Sequence, residues 1–368
     1  MATVTWKKVE KRTEDGILVT MQEPIIISAS RSTDIPAFYA DWFFHRLKVG
    51  YSAWTNPFNG VKSYVSYDAT KFIVFWSKNP KPLLLHLDYL EERGIACYIQ
   101  YTLNDYEAEG LEKGVRPLSE RIDTFHQLVD RLGKGSVVWR FDPLILTDKI
   151  GIDELLKKIE NIGDKLNGYT EKLVFSFADI ASYRKVRNNL DRNGILYREW
   201  DDASMHEMAS LLSKLNEKWR YELATCGEKI DLKPYNILHN HCIDDRLIVR
   251  FGYRSQDLLK FLSAEIVSQE PILPVQQELF NFDDGKNCTS IPQNAILLDN
   301  GEYAIINKDN TDKGQREFCG CMKSKDIGEY NTCPHLCEYC YANASKEVAI
   351  KNWKQHNVNP YAETIIGR

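Results

Sequence analysis

Five of the nine cysteines in this 368-residue chain fall within residues 319–343, CGCMKSKDIGEYNTCPHLCEYCYAN. Three of them, Cys333, Cys337 and Cys340, are spaced C-x3-C-x2-C, with the aromatic Tyr339 just before the last. Three thiolates on one tight loop can hold three irons of a cubane 4Fe-4S cluster, which ordinarily takes four cysteine ligands. The fourth iron then stays open, as a catalytic metal position is and a structural one is not. The competing reading is a zinc knuckle of the three cysteines and His335. Zinc ribbons pair one C-x2-C with a second, often about 15–20 residues away. This chain has a single C-x2-C, and His335 sits inside the loop, where its ring is badly placed for the same ion.

Four further cysteines stand apart from the triad. Cys319 and Cys321 form C-x-C, Cys226 ends an apolar run, and Cys242 lies in the loop that follows. Together they suit a second, auxiliary 4Fe-4S cluster or a zinc ion. The alternative is that Cys226 is a small core residue and Cys242 a loop thiol. A C-x-C pair so close to the triad favours the metal reading. Cys97, inside a strand pattern, reads as core packing, and Cys288 as incidental. His239 and His241 flank Cys242 and read as loop histidines.

The elements that must position these residues alternate. Apolar runs at 24–30, 51–57, 71–80, 96–105, 136–146, 172–180 and 220–228 read as strands. Between them, amphipathic patterns at 82–94, 119–133, 152–168 and 204–219 read as helices, as does the segment from Ala37 to Gly50. Such alternation means βαβ units and a parallel sheet, and so many in a row suggest a barrel. No Gly-rich phosphate loop follows any strand, which argues against a dinucleotide or nucleoside-triphosphate fold. The strand ends carry polar residues, among them Lys78, Asn104, Asp179, and the pair Arg140 and Asp142. For Lys78, Asn104 and Asp179 the simple reading is that the chain exits into water there. Arg140 lies within an apolar run and shares a face with Asp142 at period two. That pair is either a structural ion pair or a catalytic clamp for a carboxylate or ribose.

The C-x3-C-x-aromatic-C pattern resembles the radical S-adenosylmethionine (SAM) superfamily, and CEYCYAN resembles its spore photoproduct lyase-like branch. The resemblance implies a 4Fe-4S cluster whose open iron binds SAM, cleaved reductively to a 5′-deoxyadenosyl radical. It also implies a cluster loop after a first strand, with the end of a second strand binding the SAM amino group. Here the loop is near the C-terminus, after a short strand expected near 328–332 and before a helix expected at 344–355. The strand running into SASRSTDIP supplies the second position, which makes Ser30, Arg31, Thr33 and Asp34 the candidate SAM contacts. The expected fold is therefore α/β, a parallel (β/α) TIM-like barrel, circularly permuted. SASRSTDIP, FWSKNP, WRFDP, TCGEKIDL with HCIDD, and QREFCGC before the triad are similar to the domain of unknown function 1848 family. That similarity covers nearly the whole chain and implies the C-terminal cysteine cluster, but no reaction.

The expected organisation is a main body over 1–264, an insertion or small subdomain over 265–318, and a cluster-binding segment over 319–368. The expected partners are a reductant such as flavodoxin or ferredoxin and a substrate left open among small molecule, peptide and nucleic-acid lesion. A non-catalytic zinc or iron–sulfur protein is the alternative function. Composition is ordinary for a globular protein, 43% hydrophobic and 27% charged. A net charge of −5 gives no overall basic field for nucleic acid. No apolar run is long enough to span a bilayer, and the first residues lack the apolar stretch of a signal peptide. A cytoplasmic, membrane-free setting follows, in which cysteines serve metal or catalysis before disulfides.

Overall fold

A computed structural model describes residues 6–56, 59–267, 294–316 and 318–367. Cys288 and about half of the expected insertion lie outside the described residues. The centre is a sheet of eight strands: β1 (Ile26–Ala29), β2 (Phe72–Ser77), β3 (Ala96–Thr102), β4 (Val137–Leu144), β5 (Lys172–Phe177), β6 (Glu222–Thr225), β7 (Ile237–His239) and β8 (Lys325–Asp326). Their order across the sheet is β7-β6-β5-β4-β3-β2-β1-β8, and every neighbouring pair is parallel. The last of these strands in the sequence thus lies beside the first.

The two-residue period of the strands divides the core in two. Ile27, Ile73, Phe75, Ile99, Tyr101, Trp139, Phe141, Leu173 and Phe175 face one way and are fully buried. Helices Ala40–Val49, Leu118–Leu132, Ile152–Leu166 and Asp202–Asn216 cover that face with residues such as Phe43, Phe125, Ile159 and Leu212. Parallel strands added side by side through right-handed crossovers stack their helices on one face in this way. The intervening residues Ile26, Phe72, Val74 and Tyr98 face the other way. They pack on Ile248 and Val249 of helix Asp245–Gly252 and on Leu258 and Leu262 of helix Gln256–Leu262. Each large side chain buried here contributes roughly 1.5–3 kcal/mol. This second layer covers only the start of the strands. Toward their ends the same face turns polar: Ser28, Trp76, Gln100, Arg140, Asp142 and Ser176.

Several expectations need correction. Among the described residues β7 and β8, the two edges, do not pair, so the sheet is open and the barrel expected from the βα rhythm is not closed. Residues 7–23 form a hairpin, Lys7–Arg12 with Leu18–Glu23, where no strand was expected. It joins a second hairpin, Tyr51–Thr55 with Lys62–Ser66, in a separate four-stranded sheet. Its first strand carries charged residues on both faces, Lys7 and Lys11 beside Val9 as well as Lys8, Glu10 and Arg12, which hid the alternation. The strand at 51–55 therefore belongs to this sheet and not to the parallel one. β7 was too short to announce itself, and helix Arg184–Arg192 buries only Val186 and Leu190. Part of the 265–318 segment forms a small antiparallel sheet of Ala264–Val267, Tyr303–Ile306 and Ile296–Leu297. Among the described residues no helix is long and apolar enough to cross a membrane.

Candidate functional site

The cysteine triad is carried by β8. Lys325 pairs with Ile27 and Asp326 with Ser28, a few residues before the strand foreseen at 328–332. The Asp326 carboxylate fixes the register by accepting from Ser28 Oγ at 3.0 Å, Ser30 Oγ at 2.7 Å and Arg31 N at 2.9 Å. Gly328 follows, and a Cβ there would fall 1.9 Å from Ser30 Oγ, so only glycine lets the two segments lie this close. The chain then makes the cysteine loop and enters helix Lys346–Val358, whose first turn is capped by Ser345.

Within the loop, Asn343 Nδ2 donates to Cys333 O at 2.9 Å and Cys340 N to Cys337 O at 3.2 Å. His335 lies between two partners, Gly114 O at 3.2 Å from Nδ1 and Asp34 Oδ2 at 2.8 Å from Nε2. Its ring anchors the loop, which removes the fourth ligand of the zinc-knuckle reading. Burial pushes the Cys333, Cys337 and Cys340 thiols above their ordinary range.

A buried polar group supports the loop from behind. Lys78 Nζ donates to Glu112 Oε1 at 2.7 Å and to Tyr339 Oη at 2.9 Å, and Asn104 Nδ2 donates to the same two oxygens. Tyr339 Oη also donates to Glu112. Burial alone would raise Glu112, but Lys78 and Arg121 outweigh it and hold the carboxylate down at about 2. Lys78 and Asn104 were expected to be polar because the chain meets water there; the structure corrects that reading, since both are tied to the cysteine loop. Nothing in the sequence spacing links residues 78, 104, 112 and 339.

The second cysteine group also assembles. Cys226 follows β6, Cys242 follows β7, and their sulfurs are 3.3 Å apart. Cys321 Sγ accepts from Cys242 N at 3.2 Å and from Ile243 N at 3.4 Å. Cys242 Sγ accepts from Arg140 Nη1 at 3.3 Å and from Asn240 Nδ2 at 3.1 Å. Hydrogen bonds from Cys226 and Cys321 pull Cys242 well below the thiol range, while Cys226 and Cys321 are pushed up as the donors. Cys319, beside Cys321, is lowered to about 6 by a hydrogen bond from it. Cys97 packs in the helix-covered core, as expected.

Arg140 and Asp142 share the polar face, as their spacing predicts. Arg140 Nε donates to Asp142 Oδ2 at 3.2 Å, Nη2 donates to the same oxygen, and Nη1 reaches Gln100 Oε1 at 3.1 Å as well as Cys242. Ser176 Oγ donates to the other Asp142 oxygen. The pair is thus engaged in supporting Cys242. The four residues after β1 divide. Ser30 and Asp34 are committed to protein partners: Ser30 to Asp326 and Ser32, Asp34 to Ala37 N, Ser77 Oγ, Lys78 N and His335. Thr33 Oγ1 and Arg31 Nε are buried with no protein partner among the described residues.

Among the described residues no three His, Cys, Asp or Glu side chains are drawn round a single ion. A cubane places each ligand on a different iron, so three separate thiols on one loop, Cys337 buried and Cys333 and Cys340 half-buried, fit it without such convergence. The buried Asn343 Oδ1 in the same loop also has no protein partner among the described residues.

The molecule is thus an α/β protein with an eight-stranded parallel sheet and two cysteine groups at the strand ends. It belongs to the family described as a domain of unknown function (DUF1848), whose pattern matches residues 26–270 and 284–342. The gap in that match falls inside the expected insertion. No curated protein matches the chain. Among solved structures, a candidate alpha-L-fucosidase from Bacteroides thetaiotaomicron VPI-5482 is similar at 13% identity over 45% of this chain, with a TM-score of 0.22. The match spans 64% of that protein's length, and a score so low carries no argument about fold or activity.

Proposed function

We propose that this chain is a radical SAM enzyme built on a circularly permuted (β/α) sheet. The observation that carries the reading is the unit β8, cysteine loop, helix Lys346–Val358, lying parallel beside β1. Cys333, Cys337 and Cys340 would hold a 4Fe-4S cluster, and with SAM that cluster supplies a one-electron reductive cleavage to a 5′-deoxyadenosyl radical. Arg31 and Thr33, at the end of the strand beside the cluster unit, offer a buried N–H and a buried hydroxyl without protein partners. They are the SAM contacts we favour. Ser30 and Asp34 set the backbone that presents them. Lys78, Glu112 and Tyr339 hold the loop in a dry setting, where a reactive species is shielded from water.

The test is anaerobic. Protein reconstituted with iron and sulfide is mixed with SAM and dithionite, and 5′-deoxyadenosine is followed by mass spectrometry beside the Cys337→Ala variant. Formation in the wild type alone supports the proposal. Equal formation in both, or a reconstituted protein that neither binds SAM nor cleaves it, overturns it.

A further inference from the structure

We infer that Cys226, Cys242, Cys319 and Cys321 form a second metal site, separate from the triad, that holds one tetrahedral ion of the zinc type in an all-thiolate shell. Four observations converge on it. First, four of the eight described cysteines, from three distant parts of the chain, meet at the ends of β6 and β7. Second, two of the sulfurs are ringed by hydrogen-bond donors. Cys321 takes two backbone N–H groups, and Cys242 takes a guanidinium N–H and an amide N–H. A neutral thiol is a weak acceptor, and the thiolate is the form that binds metal.

Third, cations surround the group. Arg140 is buried with a nitrogen 3.3 Å from Cys242 Sγ. The Arg316 guanidinium lies 3.3 Å from where a side chain would begin at Gly227, the neighbour of Cys226. Arg31 and Arg140 share the Trp76 ring, at 5.5 and 5.2 Å. Packed arginines are favoured where negative charge gathers, and an ion bound by four thiolates keeps a net negative charge. Fourth, the C-x-C loop is shaped to dock. A Cβ on Gly320 would meet the His241 ring at 2.3 Å, so the glycine between the two cysteines lets the loop lie against the Cys242 segment.

One contact favours a single ion over a cubane. Cys226 Sγ and Cys242 Sγ are 3.3 Å apart. Zinc–sulfur bonds of about 2.3 Å in a tetrahedron give sulfur–sulfur edges of about 3.8 Å, close to this contact. A cubane sets each thiolate on its own iron and needs them farther apart. Binding must still open the file of sulfurs into a tetrahedron, since no three of them converge now. Four ligands leave no open position, so the ion would hold the ends of β6 and β7 to the C-x-C loop and take no substrate.

The test does not depend on the radical SAM proposal. A variant with Cys333, Cys337 and Cys340 all replaced by Ala is produced with zinc and analysed for metal. We expect one zinc per chain, lost in the further variants Cys242→Ser and Cys321→Ser and kept in Cys97→Ser. Because the serine variants can fail to fold, cobalt is also exchanged into the triad-free protein. Intense thiolate-to-cobalt charge-transfer bands with a tetrahedral pattern support the site. A protein without stoichiometric metal overturns it. Four irons with sulfide, lost on Cys242→Ser, overturn the single-ion assignment.

Discussion

Asp34 Oδ2 and His335 Nε2 lie 2.8 Å apart although 301 residues separate them in the chain. The same carboxylate caps the Ile35–Phe38 turn at Ala37 N and accepts from Ser77 Oγ and Lys78 N. One buried side chain therefore fastens three segments: the end of β1, the end of β2 and the cysteine loop.

Replacing it should show that role. Asp34→Ala strands several buried donors, and we expect a loss of about 3 kcal/mol in urea unfolding. His335→Ala removes only the loop's anchor. We expect it to keep its far-ultraviolet circular dichroism while losing most of the reconstituted iron. Full iron retention in His335→Ala would show that the loop organises itself without the anchor.

Glu112 should give the protein a stability that acid removes. Its carboxyl is held at about 2 in the fold against 4.5 when free, chiefly by Lys78 and Arg121 working against burial. A depressed carboxyl stabilises fully above its free value and loses that contribution as pH falls toward its folded value. The window is therefore roughly pH 4.5 down to 2, and the contribution is about 3 kcal/mol. Urea unfolding across that range should be less steep in pH for Glu112→Gln. An unchanged slope would exclude the pairing with Lys78 as its source.

Thr33 should respond with opposite signs in two assays. Its buried hydroxyl has no protein partner among the described residues, so Thr33→Val ought to leave the ligand-free protein as stable or slightly more so. If the hydroxyl contacts SAM, the same change weakens SAM binding about tenfold, read by calorimetry on the reconstituted protein. Unaltered affinity removes Thr33 from the contact set and leaves Arg31.

Gly320→Ala should destabilise by about 1–3 kcal/mol, because the added methyl meets the His241 ring at 2.3 Å. Adding His241→Ala should recover most of the loss. A double-mutant cycle in thermal unfolding measures the coupling, and strict additivity would show that the two segments do not touch.

The helix and strand rhythm of the main sheet was readable because buried strands such as FIVFWS are apolar on both faces. The pairing of the cysteine unit with the strand at Ile26–Ala29 was also readable, since its motif followed a short strand and preceded a helix. The N-terminal hairpin was not, because no residue of KKVEKR is buried and its charges lie on both faces. At the site, the cysteines and the Arg140–Asp142 pairing followed from residue type and a two-residue period. Glu112, Lys78 and Asn104 did not, because they meet only through tertiary contact. Barrel closure failed as an inference for a related reason: counting βα units says how many strands there are, and not whether the edges at His239 and Lys325 curve far enough to meet.

Ser28 and Asp326, bonded across the β1–β8 edge, are 298 positions apart. At roughly 5–20 residues per second, a ribosome delivers the second of them some 15–60 s after the first. Through that interval β1 is an uncovered strand edge, the kind of surface that recruits the wrong neighbour. A truncated product would carry β1 and the residues after it, Ser30 to Asp34, and no cysteine loop. If the triad holds the proposed cluster, its assembly is thus withheld until the segment after Lys325 has been made, and the order of synthesis guards against copies that carry β1 without the loop.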